Sequence, residues 1–240
     1  TDEQKGVFGE LNIALSDTSE LTVGARYYDI EVDFEGSANS SFGNGFGNPD
    51  EQRFGSNLSV QYAPGNENGY PDVAKSDGVI GKLTYSWNPS EDVMYYVTWS
   101  EGFRPGLLNR PVGSSNADGS YTVKPEVESD DITNVEFGWK TILQDGRLRF
   151  NGSVFNVDVE GLQSTIFDPS IVNLFFSDNA ANATIEGVEG DFTYFTNVDG
   201  LSIAGAFSFL NTNIDEKLVP TNDVVVGSEL AFAPGHQGNL

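Results

Sequence analysis

The chain reads as an all-β protein whose antiparallel, up-and-down strands cross a membrane as part of a transmembrane barrel wall. Three observations predict this. Several stretches alternate with a period of two, so each is a strand with two distinct faces. The outward face of several strands turns from apolar to acidic part-way along, always at the same end. The connections between strands alternate between short and long. A strand of a soluble sheet keeps its apolar face along its whole length, because the core does. A face that is apolar over only a few alternate positions fits a slab of fixed thickness, which a tilted strand crosses in ~9–11 residues.

Taken in order, Gly6 to Leu15 descends to the short turn Ser16-Asp17-Thr18-Ser19, and Glu20 to Phe34 ascends. On the ascending strand Leu21, Val23, Ala25 and Tyr27 are followed on the same face by Asp29, Glu31, Asp33 and Glu35. Ser76 to Trp87 descends to Asn88-Pro89-Ser90-Glu91, and Asp92 to Phe103 ascends. Asp130 to Leu143 descends to Gln144-Asp145-Gly146. Arg147 to Leu162 ascends, with Leu148, Phe150, Gly152 and Val154 giving way to Asn156, Asp158 and Glu160. Ala180 to Thr196 descends to Asn197-Val198-Asp199-Gly200. Leu201 to Asn213 then ascends, and Leu201 to Phe209 give way to Asn211, Asn213 and Asp215 on the same face. A ninth strand is expected from about Ser228 to Leu240. The short turns carry Asp-Gly, Asn-Pro, Ser and Asp, the residues tight turns require. The long connections run roughly over 36–75, 104–129, 163–179 and 216–227. Short turns on one side and long loops on the other are the asymmetry of outer-membrane barrels, and the acidic ends all fall on the long-loop side. Tyr85, Trp87, Trp139 and Tyr194 lie near short turns while Tyr27 and Trp99 lie toward long loops, as interfacial girdles would.

Composition removes several other classes. No apolar run approaches the ~20 residues of a transmembrane helix. Cysteine is absent, so there is neither a disulfide framework nor a thiolate metal site. The net charge is −24, which argues against nucleic-acid binding and against capture of a polyanion. The opening Thr1-Asp2-Glu3-Gln4 is polar and acidic, so a secretory signal is expected to have been removed, or the chain to be an internal piece. His236 is the only histidine, no catalytic constellation appears, and no cofactor is expected. Gly43-Asn44-Gly45-Phe46-Gly47 follows no strand-to-helix unit and reads as an external loop.

Several stretches resemble signatures of TonB-dependent outer-membrane receptors. Residues 96–106 (YVTWSEGFRPG) are similar to that family's YASYSEGFRPG strand-to-loop segment. Lys124-Pro125-Glu126 with 134–140 (NVEFGWK) is similar to its PE…YEIGWK strand, and 145–155 (DGRLRFNGSVF) to its DGRLRLNGAVF strand. Residues 185–189 (IEGVE) and 232–237 (FAPGHQ) resemble its IKGVE and FAPEHQ segments. The matches are ordered and correctly spaced from about Gly6 to the end. The resemblance implies a barrel of about 22 strands plugged by an N-terminal domain. It also implies location in the Gram-negative outer membrane and uptake of a scarce ligand such as a metal–siderophore complex, cobalamin or a glycan, energised by TonB. It implies a transport receptor and no enzyme. Only eight strands and part of a ninth are counted, with no plug and no TonB-box-like segment. The whole of residues 1–240 is therefore expected to be a partial barrel domain of a larger receptor. Its partners would be the rest of the barrel, its plug, TonB through that plug, outer-membrane lipid and lipopolysaccharide, and a small ligand of unknown identity.

Candidate functional residues follow. Arg53, Arg104 and Arg110 are rare cations in acidic outer loops, and a guanidinium fork suits a ligand carboxylate or phosphate; each could equally pin its own loop to acids such as Glu101. Glu136, Lys140, Arg149, Glu189 and Asp191 sit on polar faces too charged for a packed core. They would either touch the plug or form a charge network within a wet lumen. Asp29, Glu31 and Asp33 would lie level with lipopolysaccharide phosphates and could recruit Ca²⁺ or Mg²⁺; plain solvation above the lipid is the alternative. Two other functions stay open at this point: a small closed barrel acting as an adhesin or structural protein, and a secreted β-sandwich binding domain.

Overall fold

The computed structural model describes residues 2–33, 73–109, 123–124, 126–170 and 175–240. Eleven strands occur among them: β1 (Asp2–Ser16), β2 (Ser19–Asp33), β3 (Val73–Ser90), β4 (Val93–Arg104), β5 (Leu107–Leu108), β6 (Glu126–Val127), β7 (Asp130–Leu143), β8 (Leu148–Ile166), β9 (Phe176–Phe195), β10 (Ser202–Lys217) and β11 (His236–Asn239). Nine form one antiparallel sheet in the order β1-β2-β3-β4-β7-β8-β9-β10-β11, and β5 pairs with β6 apart from it. Apart from the step from β4 to β7, which passes over the β5–β6 pair, each strand of the sheet pairs with the next in sequence, which is the meander expected of a barrel wall. The sheet is not closed: β1 and β11 each have a single neighbour.

The short turns close by local means. At the first, the Ser16 hydroxyl accepts from the Thr18 amide at 3.2 Å and bonds the Ser19 hydroxyl at 2.7 Å. At the third, Gln144, Asp145 and Gly146 all have positive φ (56°, 57° and 86°). That run of left-handed residues is why an Asp-Gly pair stands there.

The register lets the tilt of the wall be worked out. The last apolar outward residues are Tyr27 on β2, Val79 on β3, Trp99 on β4, Val135 on β7, Val154 on β8, Val188 on β9 and Phe209 on β10. Tyr27 pairs with Val79, but Trp99 pairs with Leu83, four residues lower on β3. Val135 pairs with Trp99, and Val154 pairs with Phe137, two residues lower again. Val188 and Phe209 continue that row. The boundary thus falls six residues, ~20 Å along the strands, over six inter-strand spacings, ~29 Å. The implied tilt is ~35°, at the lower end of the range for membrane barrels. On β3 the outward band from Val79 to Trp87 then stands ~22 Å tall, close to the ~25 Å apolar belt of such barrels.

Above the band the two faces exchange character. Outward positions become Asp29, Asp77, Glu101, Asp131, Asp158 and Glu186, while the opposite face carries buried Tyr28, Ile30, Ala74, Val159 and Ala183. Within lipid the apolar side must face out; in water it must face in. The buried core therefore sits at the long-loop end: Val123, Ile166, Phe176, Ala180, Ala181, Val219 and Val224, with Leu162 and Ile214 packed against it.

Two sequence expectations are corrected here. The connection expected over 163–179 is shorter, because β8 runs to Ile166 and β9 starts at Phe176. Gly161, with φ of 65°, lies in a register shift that changes the phase of the alternation, so a straight period-two reading stops too early. The ninth strand expected from Ser228 is regular only over His236–Asn239. Before it the backbone meets β10 at scattered points, Ser228 O accepting from Ile214 N at 2.9 Å and Gly235 O from Leu210 N at 2.9 Å. Phe232 takes a positive φ of 61°, and Pro234 has no amide to give a ladder.

Candidate functional site

The polar wall is built by the residues that alternate with the apolar band. Cross-strand register stacks them in rows. One row is Asn12, Thr22, Thr84, Thr98 and Glu136. Thr22 Oγ1 donates to Asn12 Oδ1 at 2.7 Å, and the Thr84 and Thr98 hydroxyls bond at 2.9 Å. The next row toward the short turns holds Tyr96, Gly138, Ser153, Glu189, Ser208 and Gln237. Below it come Lys140, Asn151 and Asp191. The Tyr96 hydroxyl donates to Glu136 Oε1. Its ring can lie flat only because Gly138 is opposite: a Cβ there would come within 2.2 Å of the ring. A trough of about 560 Å³ runs along this wall beside Tyr96, Glu136, Lys140, Ser153, Glu189 and Asp191.

The long-loop rim is tied by buried side chains. Asp130, 0% exposed, is the main knot. Its Oδ1 accepts from the Arg104 amide at 3.0 Å, and its Oδ2 from Arg104 Nε at 2.8 Å and the Gln163 amide at 3.2 Å. An Arg104 Nη donates to the same Oδ2 and, at 3.2 Å, to the Gln163 carbonyl. Three amides knit the loops onto the sheet. Asn109 Nδ2 donates to Lys124 O (2.8 Å) and Ser177 O (2.7 Å), and its Oδ1 accepts from Ser177 N (2.8 Å). Gln163 Nε2 donates to Pro105 O and Glu128 O, both at 2.9 Å. Asn179 brackets Glu128, accepting from its amide and donating to its carbonyl at 2.9 Å each. Farther along, Asp168 receives the Ser170 hydroxyl and amide on one oxygen, and Thr221 Oγ1 (3.0 Å) and the Asn222 amide (2.8 Å) on the other. The Ser170 hydroxyl, then the Asn222 and Ser170 amides, hold its carboxyl down at about 2. At Asp178, burial pushes the carboxyl up, with Lys124 Nζ 3.9 Å away.

A family model described as "TonB dependent receptor-like, beta-barrel" matches residues 1–240. The chain belongs to the TonB-dependent receptor-like β-barrel family. Solved structures agree on the fold. The ferric yersiniabactin uptake receptor FyuA of Yersinia pestis is similar with a TM-score of 0.64 at 14% identity, over 99% of this chain and 30% of that one. The siderophore receptor PiuA of Acinetobacter baumannii gives 0.62 at 15% identity, over 99% and 30%. The ferric-catecholate import receptor Fiu of E. coli gives 0.61 at 18% identity, over 98% and 31%. The chain therefore spans about a third of the length of these structures. No curated protein matches it.

Within this receptor barrel the anticipated residues fall as follows. Glu136, Lys140, Arg149, Glu189 and Asp191 all lie on the polar wall. They do not form a network of opposite charges: none makes an ion pair among the described residues. Glu136 is held by Tyr96, and Asp191 accepts from Asn151 Nδ2 at 3.2 Å. Arg104 lies at the rim, half exposed, with Asp130 rather than Glu101 as its partner. Arg53 and Arg110 lie outside the described residues, as does the Gly43 to Gly47 segment. Asp29, Glu31 and Asp33 lie in the outward acidic zone. Glu31 is paired with Lys75 at 2.7 Å, and no group of three or more metal-binding side chains converges among the described residues. The rim knots at Asp130, Asn109, Gln163 and Asn179 were not anticipated. Their only signal in the sequence is uncharged amides and one acid at loop–strand junctions, a pattern shared by ordinary turns.

Proposed function

We propose that this chain is a wall segment of an outer-membrane receptor that imports a scarce ligand with energy supplied through TonB. The supporting observation is the polar wall: Lys140, Arg149, Glu189 and Asp191 have no ion-pair partner among the described residues and stand opposite a continuous apolar outer face. Charges exposed on one face are stable only if water or another protein surface covers them. A plug domain inside the barrel supplies that surface, and the rest of the barrel supplies neighbours for β1 and β11, whose bare edges lipid does not tolerate. The family consists of transport receptors, and the described residues assemble no catalytic constellation.

The rim is the first surface a ligand from outside meets. Its Arg104 fork is already spent on Asp130, so ligand contact there would use the half-exposed remainder of the guanidinium. The outward acids, Asp29, Glu31 and Asp33 among them, would meet lipopolysaccharide phosphates through Ca²⁺ or Mg²⁺. FyuA, PiuA and Fiu carry iron–siderophore names, which puts iron complexes first among ligands to try; the acidic rim weighs toward a neutral or cationic complex. The test is accumulation of labelled ferric siderophores, copper and cobalamin in cells with and without the protein, each repeated with TonB removed. Accumulation of one ligand that needs both the protein and TonB is the expected result. A protein that fractionates with the soluble periplasm, or uptake indifferent to TonB, would overturn the reading.

A further inference from the structure

The wall is not uniformly sewn. Pairing between β3 and β4 runs from Ser90 and Val93 to Lys82 opposite Ser100 and stops there. Yet β3 continues to Val73 paired with β2, and β4 continues to Arg104 paired with β7. Each strand thus keeps its outer neighbour and loses the other. On β4 the break starts at Glu101, two residues above Trp99, the last apolar outward position of that strand; on β3 it starts at Gly81 and takes in the top of the apolar band up to Val79, so the amides facing the gap there need another acceptor.

Side chains fill the gap. Glu101 Oε2 accepts from the Gly81 amide at 2.8 Å, replacing a backbone acceptor with a carboxylate. The Trp99 ring lies over Gly81, where a Cβ would meet it at 3.2 Å. Tyr28, 5% exposed, reaches from β2 across Gly78 and stacks on Phe103 with ring centroids 3.6 Å apart and planes at 13°. Gly106, just past β4, donates its amide to Ser76 Oγ on β3 at 2.8 Å. A strand pair held by three rings and two side-chain hydrogen bonds parts far more readily than one held by a ladder.

We propose that this seam is a hinge line: the β1–β3 block moves relative to the β4–β10 block at the long-loop rim, while the two stay joined from Lys82 and Ser100 down to the short turn. The Tyr28–Phe103 stack is the latch. The rim knots at Asp130, Asn109 and Asn179 all lie on the β4–β10 side, so that block moves as one body. This is independent of which ligand the receptor carries.

The test is double spin labelling of the protein in outer-membrane vesicles; this chain has no cysteine of its own to interfere. Labels at Asp77 and Asp131, both exposed, span the seam from β3 to β7 above the break. Labels at Leu83 and Val135 span the same strands within the sewn part. The upper pair is expected to give a broad distance distribution and the lower pair a narrow one. Tyr28→Ala broadens the upper distribution further and leaves the lower unchanged. Equal widths for the two pairs, or an upper distribution indifferent to Tyr28→Ala, would overturn the hinge.

Discussion

Val97 tests whether the outward face of this wall is solvated by lipid. It points outward from β4 at 46% exposure, between Tyr85 and Phe137. The band on β4 runs from Val93 to Trp99, which puts Val97 one residue from its middle. Replacing it with arginine places a guanidinium near the midplane, at a cost of ~2–4 kcal/mol, a fall of roughly 30- to 1000-fold in the folding equilibrium. The next residue, Thr98, faces the polar wall, where its hydroxyl bonds Thr84 at 2.9 Å. Thr98→Arg loses that one bond, ~0.5–1.5 kcal/mol, and meets no lipid. Asp131 is outward like Val97 but six residues above Phe137 on β7. That is ~20 Å along the strand and roughly 17 Å along the membrane normal, beyond the half-thickness of a ~25 Å band. Asp131→Arg therefore costs ~0–1 kcal/mol. The assay is equilibrium refolding of the barrel into lipid vesicles against denaturant. The ranking Val97→Arg well above Thr98→Arg, with Asp131→Arg smallest, follows from the geometry. Equal costs at Val97 and Thr98 would refute the assignment of faces.

Three further outcomes follow from the rim and the wall. Asn109→Ala strands the Lys124 and Ser177 carbonyls and the Ser177 amide; local opening becomes easier by about 2–4 kcal/mol, read as faster exchange of the Ser177 amide with the strand amides of β4 unchanged. Gly138→Ala drives a methyl to within 2.2 Å of the Tyr96 ring and pushes its hydroxyl off Glu136, lowering stability by about 1–3 kcal/mol, whereas Ala in place of Gly146, where nothing lies within 4 Å, meets no such contact and is strained only by its φ of 86°. Because Asp168 is held at about 2 against an ordinary 3.8, the folded loop binds its proton less readily than the unfolded chain. Its contribution is fully present above the ordinary value and is lost as pH falls through about 2, so the Asn222 amide should lose protection only in that acid window.

Much of this fold is legible in the sequence because lipid imposes a simple rule on each strand. Eight strands are recovered to within a few residues, since period-two alternation and turn residues mark both ends. The polar wall is legible for the same reason: Glu136 and Lys140 alternate with Phe137 and Trp139. What escapes is what breaks the period or spans long separations. The shift at Gly161 moves the faces by one residue, so the outer part of β8 looks like loop. The irregular approach of 228–235 to β10 has no period at all. The knot at Asp130 joins residues 104, 130 and 163, and nothing local in the chain announces that they meet. The β3–β4 seam is invisible for the converse reason: each strand alternates normally, and only the pairing stops.

The central claim is that one face of this sheet meets lipid and the other does not. A cysteine scan along β9 from Glu186 to Thr193, each site labelled and probed with an apolar and a water-soluble quencher in outer-membrane vesicles, tests it most directly. Val188, Gly190 and Phe192 should be reached by the apolar quencher alone, Glu189, Asp191 and Thr193 should be shielded from it, and Glu186 should respond to the water-soluble one. A profile with no period of two, or one with Glu189 and Asp191 on the lipid side, would contradict the account.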